Sequence, residues 1–291
     1  MTAATASVDR EAQRIVKPYQ GMVAWPSVTL AFAIIGSFAL VCTLAVAGVI
    51  PLWAGLILNS LLLYVIQTPL HEACHGNIAG RDSRWMWLNH LIGFLSGAIL
   101  LHEYKAFRQM HLMHHRETND DDLDPDHWLK VSNPLAVLFR CFTIVPYYHH
   151  FFFRKIALNP KEPANFKITA HVIAAYWVLY SIAFWLSVFG YWREVLALWL
   201  GPHWIGSAII IYFFAYLPHK PHDTKNKWQA TNVYKVSGPA GRIANWLYLF
   251  QNYHLIHHLF PRIPFYLYSE AFRDLRPVLD KQGSRIYEYG R

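Results

Sequence analysis

The feature that most constrains this chain is a series of long apolar runs. Residues 28–50, VTLAFAIIGSFALVCTLAVAGVI, carry no charged side chain, and a second run at residues 52–70 follows directly after Pro51. Two more runs occupy residues 168–192 and 194–217. About 20 apolar residues are enough for a helix to cross the hydrocarbon core of a bilayer. The runs therefore predict an integral membrane protein with four transmembrane helices arranged as two hairpins.

The composition agrees with this class. Only 15% of the 291 residues are charged, whereas soluble domains usually contain about 25%. The net charge of +8 is spread between the apolar runs, which favours membrane topology over nucleic-acid binding. The scattered residues Cys42, Cys74 and Cys141 predict neither a disulfide framework nor a CxxC metal site. The first 25 residues lack the pattern of a signal peptide, so we expect none.

Two other apolar stretches are predicted to lie at the membrane surface. Residues 85–101 form a short run with several polar side chains, and residues 134–153 are interrupted by Arg140 and Pro146. If neither stretch crosses the membrane, Arg193 is the only one of the 26 Lys and Arg that lies in the loops joining the two helices of each hairpin. By the positive-inside rule, the side that holds the other basic residues is cytoplasmic.

These observations predict an all-α membrane fold. We expect a cytoplasmic N-terminal segment at residues 1–27, followed by a single membrane domain at residues 28–291. Interfacial helices and a cytoplasmic cap would complete this domain. In this arrangement the polar segments that carry the most unusual residues, the histidines, share one side of the membrane.

Three short boxes concentrate these histidines: HEACH at 71–75, HLMHH at 111–115 and HLIHH at 254–258. On a helix, residues three and four apart occupy one face, so each box can direct two or three imidazoles to one point. Eight imidazoles exceed what one ion binds, and they suit two neighbouring ions of a metal that accepts nitrogen ligands. The predicted ligands are His71, His75, His111, His114, His115, His254, His257 and His258.

The other histidines are weighed against the ordinary role of a core or surface hydrogen-bonding residue. We assign that role to His171 and His203, which fall inside predicted spans. Interfacial hydrogen bonding is favoured over metal binding for His90, His102, His149 and His150, and their role stays open.

HEACH also matches H-E-x-x-H, the zinc-hydrolase signature in which the glutamate is a general base. A membrane protease is therefore a competing hypothesis, and the acidic segment DLDPD at 122–126 could offer it a further ligand. That hypothesis leaves both His-x-x-His-His boxes without a role. In the favoured interpretation Glu72 orients a ligating imidazole. A metal transporter is a weaker alternative, because transport sites usually lie near the midplane, whereas these boxes lie at helix ends.

Four segments resemble the histidine-box pattern of the membrane fatty acid desaturase superfamily, and within it the bacterial and cyanobacterial beta-carotene hydroxylases. They are HEACHGN, QMHLMHHRETNDDDLDPDH, FAYLPHKPHD and FQNYHLIHHLFPRIPFY, and the resemblance covers roughly residues 65–270. It implies a four-helix membrane domain with two non-haem irons on the cytoplasmic side. There dioxygen is activated to abstract hydrogen from an unactivated C–H bond.

The resemblance implies that the eight box histidines bind the irons and that His219 in LPHKPHD is a further ligand, with His222 a weaker candidate close by. Glu72 stands where many relatives have aspartate, which leaves the ligands intact but blurs the choice between hydroxylase and desaturase. Asp124 and Asp126 are expected to support imidazole N–H groups, although the acidic run NDDDLDPD at 119–126 could instead dock an electron donor or form a solvated loop. Asn252, close to His254, is expected to have a supporting role as well.

The leading functional hypothesis is O₂-dependent hydroxylation of a carotenoid ring, with fatty acyl desaturation a close second. Both reactions begin with the same hydrogen abstraction and differ in the fate of the radical. The apolar helices are expected to form a slot for a membrane-soluble hydrocarbon. The sequence contains no dinucleotide motif, cysteine cluster or haem-binding domain, so we expect an external ferredoxin-type or cytochrome-type donor with its reductase. A basic cytoplasmic surface would suit an acidic carrier.

Overall fold

The structure of the protein is a computed structural model that describes residues 3–159 and 165–290. The outer ends of the two predicted segments, residues 1, 2 and 291, lie outside the described residues. The described chain is mainly helical and contains one pair of strands. The helices are α1 (Ala3–Val16), α2 (Trp25–Val46), α3 (Leu52–His75), α4 (Met86–Leu100), α5 (Tyr104–Arg116), α6 (Pro134–Phe151), α7 (Asn165–Leu186), α8 (Trp192–Val195), α9 (Gly201–Ile210), α10 (Leu217–His219), α11 (Gly238–Leu247), α12 (His254–Leu259) and α13 (Tyr268–Lys281); the strands are β1 (Asn232–Val236) and β2 (Arg285–Tyr289).

The first predicted hairpin consists of α2 and α3. The chain turns after α2 at Gly48, which has a φ of 73°, so the first helix ends earlier than predicted. α3 continues beyond the predicted end at residue 70 to His75, because the left-handed residue that ends it is Gly76 at φ 75°. HEACH therefore forms the last turns of a helix that is long and apolar enough to cross a membrane.

The second pair of predicted spans lies in one helical stretch, Phe166–His219, which is the third candidate span by length and composition. It contains several π-helical turns, such as Leu196–Leu200 and Ile211–Tyr216. Helical geometry is broken at Gly190, which has a φ of 100°, just before the predicted turn at Tyr191–Glu194. Glycine adopts this conformation without the steric cost that a side chain would bring.

The chain reverses direction at this glycine. Tyr176 and His203 lie at similar distances along the chain on its two sides, and both contact the segment between α4 and α5. The Tyr176 hydroxyl accepts a hydrogen bond from the Glu103 N–H at 3.3 Å, and His203 Nδ1 donates to the Leu100 carbonyl at 2.7 Å. Since both sides of Gly190 contact one segment, the stretch folds back as the predicted hairpin does.

The stretch at 85–101 forms α4, which has 15 residues. At about 1.5 Å per residue it is shorter than the hydrocarbon core of roughly 30 Å. It packs against α3 with Leu88 and Ile92 buried, while Trp87 and Phe94 on the other face are exposed. α4 is therefore not among the helices that are long and apolar enough to cross a membrane, and its interfacial position stays a prediction.

The polar C-terminal part folds into a cap with its own core. β1 and β2 pair in parallel, from Asn232 opposite Arg285 to Val236 opposite Tyr289, a small sheet that the all-α prediction did not include. Tyr268 of α13 and Leu255 of α12 are fully buried there. The N-terminal helix belongs to the same core, because Ala12 and Val16 are also fully buried in it.

Candidate metal centre

The three boxes lie on three helices whose ends meet beneath the cap. HEACH ends α3, HLMHH forms most of the last turns of α5, and HLIHH makes up nearly all of the short helix α12. His219 ends α10 and joins them from the second hairpin. Each box is helical, so its histidines at spacings of three and four project from one side of their helix.

Five of the nine predicted ligands form one cluster. Its members are His71, His75, His111, His115 and His257, and one ring nitrogen from each lies within 4.8 Å of the others. The Nε2 atoms of His71 and His257 are 2.9 Å apart, those of His75 and His111 are 2.8 Å apart, and those of His257 and His115 are 2.8 Å apart. The boxes on α3, α5 and α12 all contribute to this five-histidine cluster.

The other four predicted ligands form a second cluster of the same kind: His114, His219, His254 and His258. The Nε2 atom of His254 is 3.0 Å from that of His219 and 3.1 Å from that of His258. The two clusters are adjacent, since the rings of His115 and His258 stack with their centroids 4.3 Å apart. The structure thus brings all nine predicted ligands into two neighbouring groups.

The repeated His-x-x-His-His spelling has a geometric explanation in this arrangement. On α5 the pair His111 and His115 enters the five-histidine cluster, while His114 enters the four-histidine cluster. On α12 the assignment is exchanged, because His254 and His258 enter the four-histidine cluster and His257 enters the other. In each His-x-x-His-His box the first and last histidines, four residues apart, reach one cluster. The middle histidine, three residues after the first, reaches the other, so each of these two boxes contributes to both clusters.

Four histidines have their second ring nitrogen, Nδ1, held by a neighbouring side chain. His114 Nδ1 is 2.7 Å from Asp124 Oδ1, and His254 Nδ1 is 2.9 Å from Gln251 Oε1. Tyr268 and Thr118 offer their hydroxyls to the Nδ1 atoms of His257 and His258, at 2.9 and 3.3 Å. A carboxylate or amide oxygen can only accept, so Nδ1 carries the proton and the Nε2 lone pair faces the cluster.

The charge state of the clusters also suits a cation. Burial lowers the pKa of His111, His115, His254, His257 and His258 well below the usual range, so these rings are neutral. For His114 burial acts in the same direction, but the attraction of Asp124 and Asp126 outweighs it and raises the pKa to about 9, so this ring must release its Nε2 proton when it binds an ion. Neutral imidazoles with converging lone pairs are metal ligands, and an all-nitrogen set fits iron, zinc, copper or nickel.

Two of the predicted supporting residues contact the cluster as expected. Besides the bond from Asp124, Asp126 Oδ2 lies 3.5 Å from His114 Nδ1, and Asp126 also accepts a hydrogen bond from the Tyr148 hydroxyl. Asp124 additionally accepts from the backbone N–H groups of Asn119 and Asp126, which fixes the acidic loop beside α5.

The predicted contacts of Glu72 and Asn252 with imidazoles are wrong. The buried Glu72 carboxylate accepts hydrogen bonds from Asn77 at 3.0 Å and Ser27 at 3.3 Å, so it ties α3 to its neighbours. Asn252 Nδ2 donates to the Tyr234 carbonyl and to Asn245. Because the Glu72 carboxylate is bonded to these two side chains, the arrangement also argues against the H-E-x-x-H protease, which needs a free glutamate base at the metal.

The supporting contact that Asn252 was expected to make belongs to Gln251, its neighbour. Tyr268 and Thr118 were also missed. Gln251 lies three residues before His254, a spacing that brings side chains together in a helical segment, and this signal was present in the sequence. The contact between Tyr268 and His257 crosses from α13 to α12, and no local pattern predicts it.

The remaining histidines lie outside the two clusters. His222 stacks on His219 with the ring centroids 5.9 Å apart, and it has a left-handed φ of 62°. The others make ordinary contacts: His90 with the Tyr104 hydroxyl, His102 with Ser207, His127 with Asp121, His149 with the Val145 carbonyl, His171 with Glu103 and His203 with the Leu100 carbonyl, while His150 is exposed.

A narrow cavity leads to both clusters. His71 and His111 of the five-histidine cluster and His114 and His254 of the four-histidine cluster line one part of it. The opposite walls are apolar and include Phe107, Met110, Ile210, Ile211 and Phe214. An apolar slot that ends at a few convergent polar groups is the usual form of a site for a small hydrophobic ligand.

A separate, polar cavity of about 780 Å³ reaches His75 from another direction. Arg81, Arg108 and Arg262 line it, together with Asn77. Arg108 Nε donates to the Cys74 carbonyl at 3.1 Å. None of these three arginines forms an ion pair with a carboxylate of the described residues, so no described carboxylate neutralises their positive charge.

The model of the family described as "Fatty acid desaturase" matches residues 47–290 of the chain. This protein belongs to the fatty acid desaturase family. It is similar to an sn-1 oleoyl-lipid 12-desaturase of Picosynechococcus sp., with 25% identity over 94% of this chain and 82% of that protein. It is also similar to a fatty acid desaturase of Bacillus subtilis (25% identity, 72% of this chain) and to a sphingolipid delta(4)-desaturase of Drosophila melanogaster (28% identity, 73% of this chain).

The alignments cover 63% of the Bacillus subtilis relative and 60% of the Drosophila melanogaster relative, less than two thirds of either protein. Membership of the family establishes that the chain is a membrane oxidoreductase, and the superfamily resemblance seen in the sequence is confirmed. The relatives named above carry acyl-lipid, fatty acid or sphingolipid names. They therefore favour the second of the two functional hypotheses, acyl desaturation, over carotenoid hydroxylation.

Proposed function

We propose that this chain introduces a double bond into an acyl chain of a membrane lipid, at a dinuclear iron centre held by the two histidine clusters. The observation that carries the proposal is the convergence of nine buried or half-buried imidazoles in two adjacent clusters, and four of these imidazoles line a largely apolar cavity. The names of the relatives add support for an acyl substrate.

The donor sets fit this cofactor. Five nitrogens in one cluster and four in the other leave room for exchangeable ligands on each of two ions, as a redox centre that binds dioxygen requires. When bound, the two irons supply the redox chemistry that reduces dioxygen and removes hydrogen from an aliphatic C–H bond. In the net reaction a –CH₂–CH₂– unit, O₂, two electrons and two protons give –CH=CH– and two molecules of water.

The surrounding residues would keep the centre ordered. Asp124, Gln251, Tyr268 and Thr118 orient their imidazoles through Nδ1, so Nε2 stays directed at the ions. The apolar walls of the cavity would hold the acyl chain beside the clusters and exclude water, which protects a reactive centre from side reactions.

Four membrane crossings and a cytoplasmic site complete the proposal. α2 and α3 would make two of the crossings, and the stretch Phe166–His219 would make the other two, on either side of Gly190. The charge distribution in the sequence supports the orientation, because Arg193 lies in the loop between the last two crossings and the other basic residues lie on the histidine side.

The two electrons would come from a separate acidic carrier protein that docks at the polar cavity beside His75. Arg81, Arg108 and Arg262 offer a local positive charge there, and complementary charge speeds and orients such encounters. His75 belongs to the five-histidine cluster, so a carrier at this position would lie close to the proposed iron centre.

Carotenoid hydroxylation is the second candidate, supported by the likeness of the sequence motifs to beta-carotene hydroxylases. Acyl desaturation and carotenoid hydroxylation can be distinguished by expressing the chain in parallel in a strain without membrane desaturases and in a carotenoid-producing strain. We expect a new acyl double bond with the wild-type chain and with His150→Ala, whose histidine is exposed and outside both clusters. His115→Ala should form none.

The proposed reaction would be overturned by hydroxylated carotenoid without any new double bond. Metal analysis of the purified chain is an independent check, with about two irons per chain expected. One zinc per chain and no iron would overturn the proposed cofactor.

A further inference from the structure

Three cavities follow one another from the histidine clusters to the outer surface of α7. The cavity at the clusters shares His102, Phe107, Met110 and Tyr148 with a second, narrow cavity. The second shares His149, Phe153 and Tyr176 with a third, more open one. Shared lining residues mean that neighbouring cavities are separated by no more than a side chain.

The third cavity is a groove on the surface that faces lipid. Ile173, Trp177 and Phe184 of α7 line it and are 50%, 73% and 60% exposed. α7 begins one of the proposed crossings, and Tyr176 lies 11 residues after its first residue, Asn165. At about 1.5 Å per residue this places the groove roughly 16 Å along the helix, at the depth of lipid acyl chains.

The pair His149 and Tyr176 forms the boundary between the groove and the interior. Their ring centroids are 4.8 Å apart, and both residues line the second and third cavities. Each is tied to the protein by one hydrogen bond, from His149 Nδ1 to the Val145 carbonyl at 2.8 Å and from the Glu103 N–H to the Tyr176 hydroxyl at 3.3 Å. Behind this pair the wall is mainly apolar, with Val172 and Ala106 buried. Glu103 also lines it, and its carboxylate accepts from the Ala106 N–H and lies beside His171.

We propose that the acyl chain reaches the histidine clusters laterally from the bilayer, between α6 and α7 and past the pair His149 and Tyr176. This rests on the proposed function and specifies its substrate class: a lipid that resides in the membrane, not a water-soluble acyl thioester. An acyl chain that moves from the bilayer into these cavities exchanges one apolar environment for another, so it never has to cross water.

The polar cavity beside His75 does not offer the same route. Its lining includes Arg81, Arg108 and Arg262, and a hydrocarbon that passed them would remove water from charged groups without replacing their hydrogen bonds. The apolar path and the charged path therefore reach the clusters from different sides and suit different partners.

The route can be tested without catalysis. The full chain, stripped of metal, is reconstituted in phosphatidylcholine vesicles that contain a phosphatidylcholine with a photoreactive group near the end of one acyl chain, and labelled peptides are mapped. We expect labels on the groove residues Ile173 and Tyr180 and on the interior residues Phe107 and Met110. Labels on the groove without any in the interior would overturn the proposal.

A matched pair of substitutions on α7 sharpens the test. Val172→Trp should fill the second cavity and reduce the yield of labelled interior residues at least tenfold, while labelling of the groove residues is unchanged. Val178→Trp makes the same change at a side chain that is 54% exposed and lines none of the three cavities, so it should leave both sets unchanged. Equal interior labelling in the two variants would contradict the route.

If Val172→Trp does not fold, Tyr176→Ala keeps the proposal falsifiable, because widening the boundary should increase interior labelling relative to groove labelling. A decrease would contradict the route. A competition experiment identifies the occupant of the interior cavities. If beta-carotene removes the interior labels and unlabelled phosphatidylcholine does not, the occupant is a carotenoid and the proposed acyl chain is wrong.

The labelling outcome is independent of the reaction, so the two proposals can fail separately. With active, iron-loaded protein, Val172→Trp should lower conversion of the vesicle lipid at least tenfold relative to Val178→Trp. Interior labelling without any product would contradict the proposed function and leave the route standing. Full conversion of a water-soluble acyl thioester by Val172→Trp would contradict the route.

Discussion

Individual side chains decide which nitrogen each imidazole directs into the clusters. In the four-histidine cluster the Nδ1 atoms of His114 and His254 are held by acceptors, Asp124 and Gln251. A histidine whose Nδ1–H is donated outward presents Nε2 to a metal, and the same hydrogen bond fixes the ring orientation. The buried carboxylate of Asp124 has the added effect of partly compensating the charge of a bound cation.

Asp124→Asn should therefore weaken metal binding by about 10- to 100-fold, the usual effect of losing a partner of a ligating histidine. The amide still accepts through one oxygen but no longer provides a negative charge. The measurement is iron retained per chain after dialysis against increasing chelator concentrations. Asp122→Asn is the control, because Asp122 lies on the same loop but pairs with Lys155 at 2.5 Å. Equal iron retention in the two variants would contradict the role given to Asp124.

At the scale of the elements, the position of His75 depends on how the end of α3 is held. The loop after Gly76 hydrogen-bonds to the segment before α2, from the Ala24 N–H to the Ile78 carbonyl at 3.2 Å and from the Arg81 N–H to the Gly21 carbonyl at 3.0 Å. Gly80 sits in this contact with a φ of 60°, and a Cβ there would lie 2.2 Å from the Met22 carbonyl oxygen.

Gly80→Ala should destabilise the protein, because the backbone must move to accept the methyl group and alanine is strained at this φ. Strain of this kind costs roughly 1–3 kcal/mol, which should appear as a lower thermal unfolding temperature in detergent. Gly36→Ala is the matched control, since an added Cβ meets nothing within 4 Å there and alanine favours the helix. An unfolding temperature for Gly80→Ala at or above that of Gly36→Ala would show that the contact does not restrain α3.

At the scale of the whole molecule, the clusters join the membrane helices to the cap. Their histidines come from α3 and α5, from α10 at the end of the second hairpin, and from α12 in the cap. Helix α12 itself packs in the hydrophobic core of the cap, which also contains Tyr268 and the buried face of α1. Ions bound to both clusters would therefore cross-link elements that are distant in sequence.

Removing the metal should lower the unfolding temperature of the whole chain, because ions that bind the folded state alone stabilise it in proportion to RT ln(1 + [L]/Kd). At a free concentration of about 100 times Kd this amounts to roughly 2.7 kcal/mol per site. Calorimetry with and without a strong chelator measures the shift, and the same chelator saturated with iron is the control. An unchanged unfolding temperature after complete iron loss would contradict the cross-linking role.

The positive charge around the polar cavity should affect how fast an acidic electron donor reduces the protein. The double variant Arg108→Gln, Arg262→Gln should slow reduction by an acidic [2Fe–2S] ferredoxin by about tenfold or more at low ionic strength, with a smaller difference at high salt. Arg84→Gln is the control, because Arg84 is exposed and already paired with Asp82 at 2.8 Å. A loss that is the same at every salt concentration, or as large in Arg84→Gln, would rule out docking at this cavity.

The sequence alone determined the helical membrane class, the approximate candidate spans and eight of the nine histidines that meet, because apolar length and three- and four-residue spacing are properties of neighbouring residues; the ninth, His219, followed only from the resemblance to the family. The end of α3 was less well predicted, since Gly76, and not the loss of apolarity at residue 70, ends that helix.

Only the tertiary structure decided how those histidines divide between two clusters, and which groups hold their other nitrogens. The exchange by which His114 joins His254 and His258 while His257 joins His111 and His115 depends on how α5 faces α12. The partners Tyr268 and Thr118, the separate role of Glu72 and the apolar path to α7 depend in the same way on packing between helices. These contacts join residues of different helices and loops, up to 140 positions apart for Thr118 and His258, and local patterns carry no information about them.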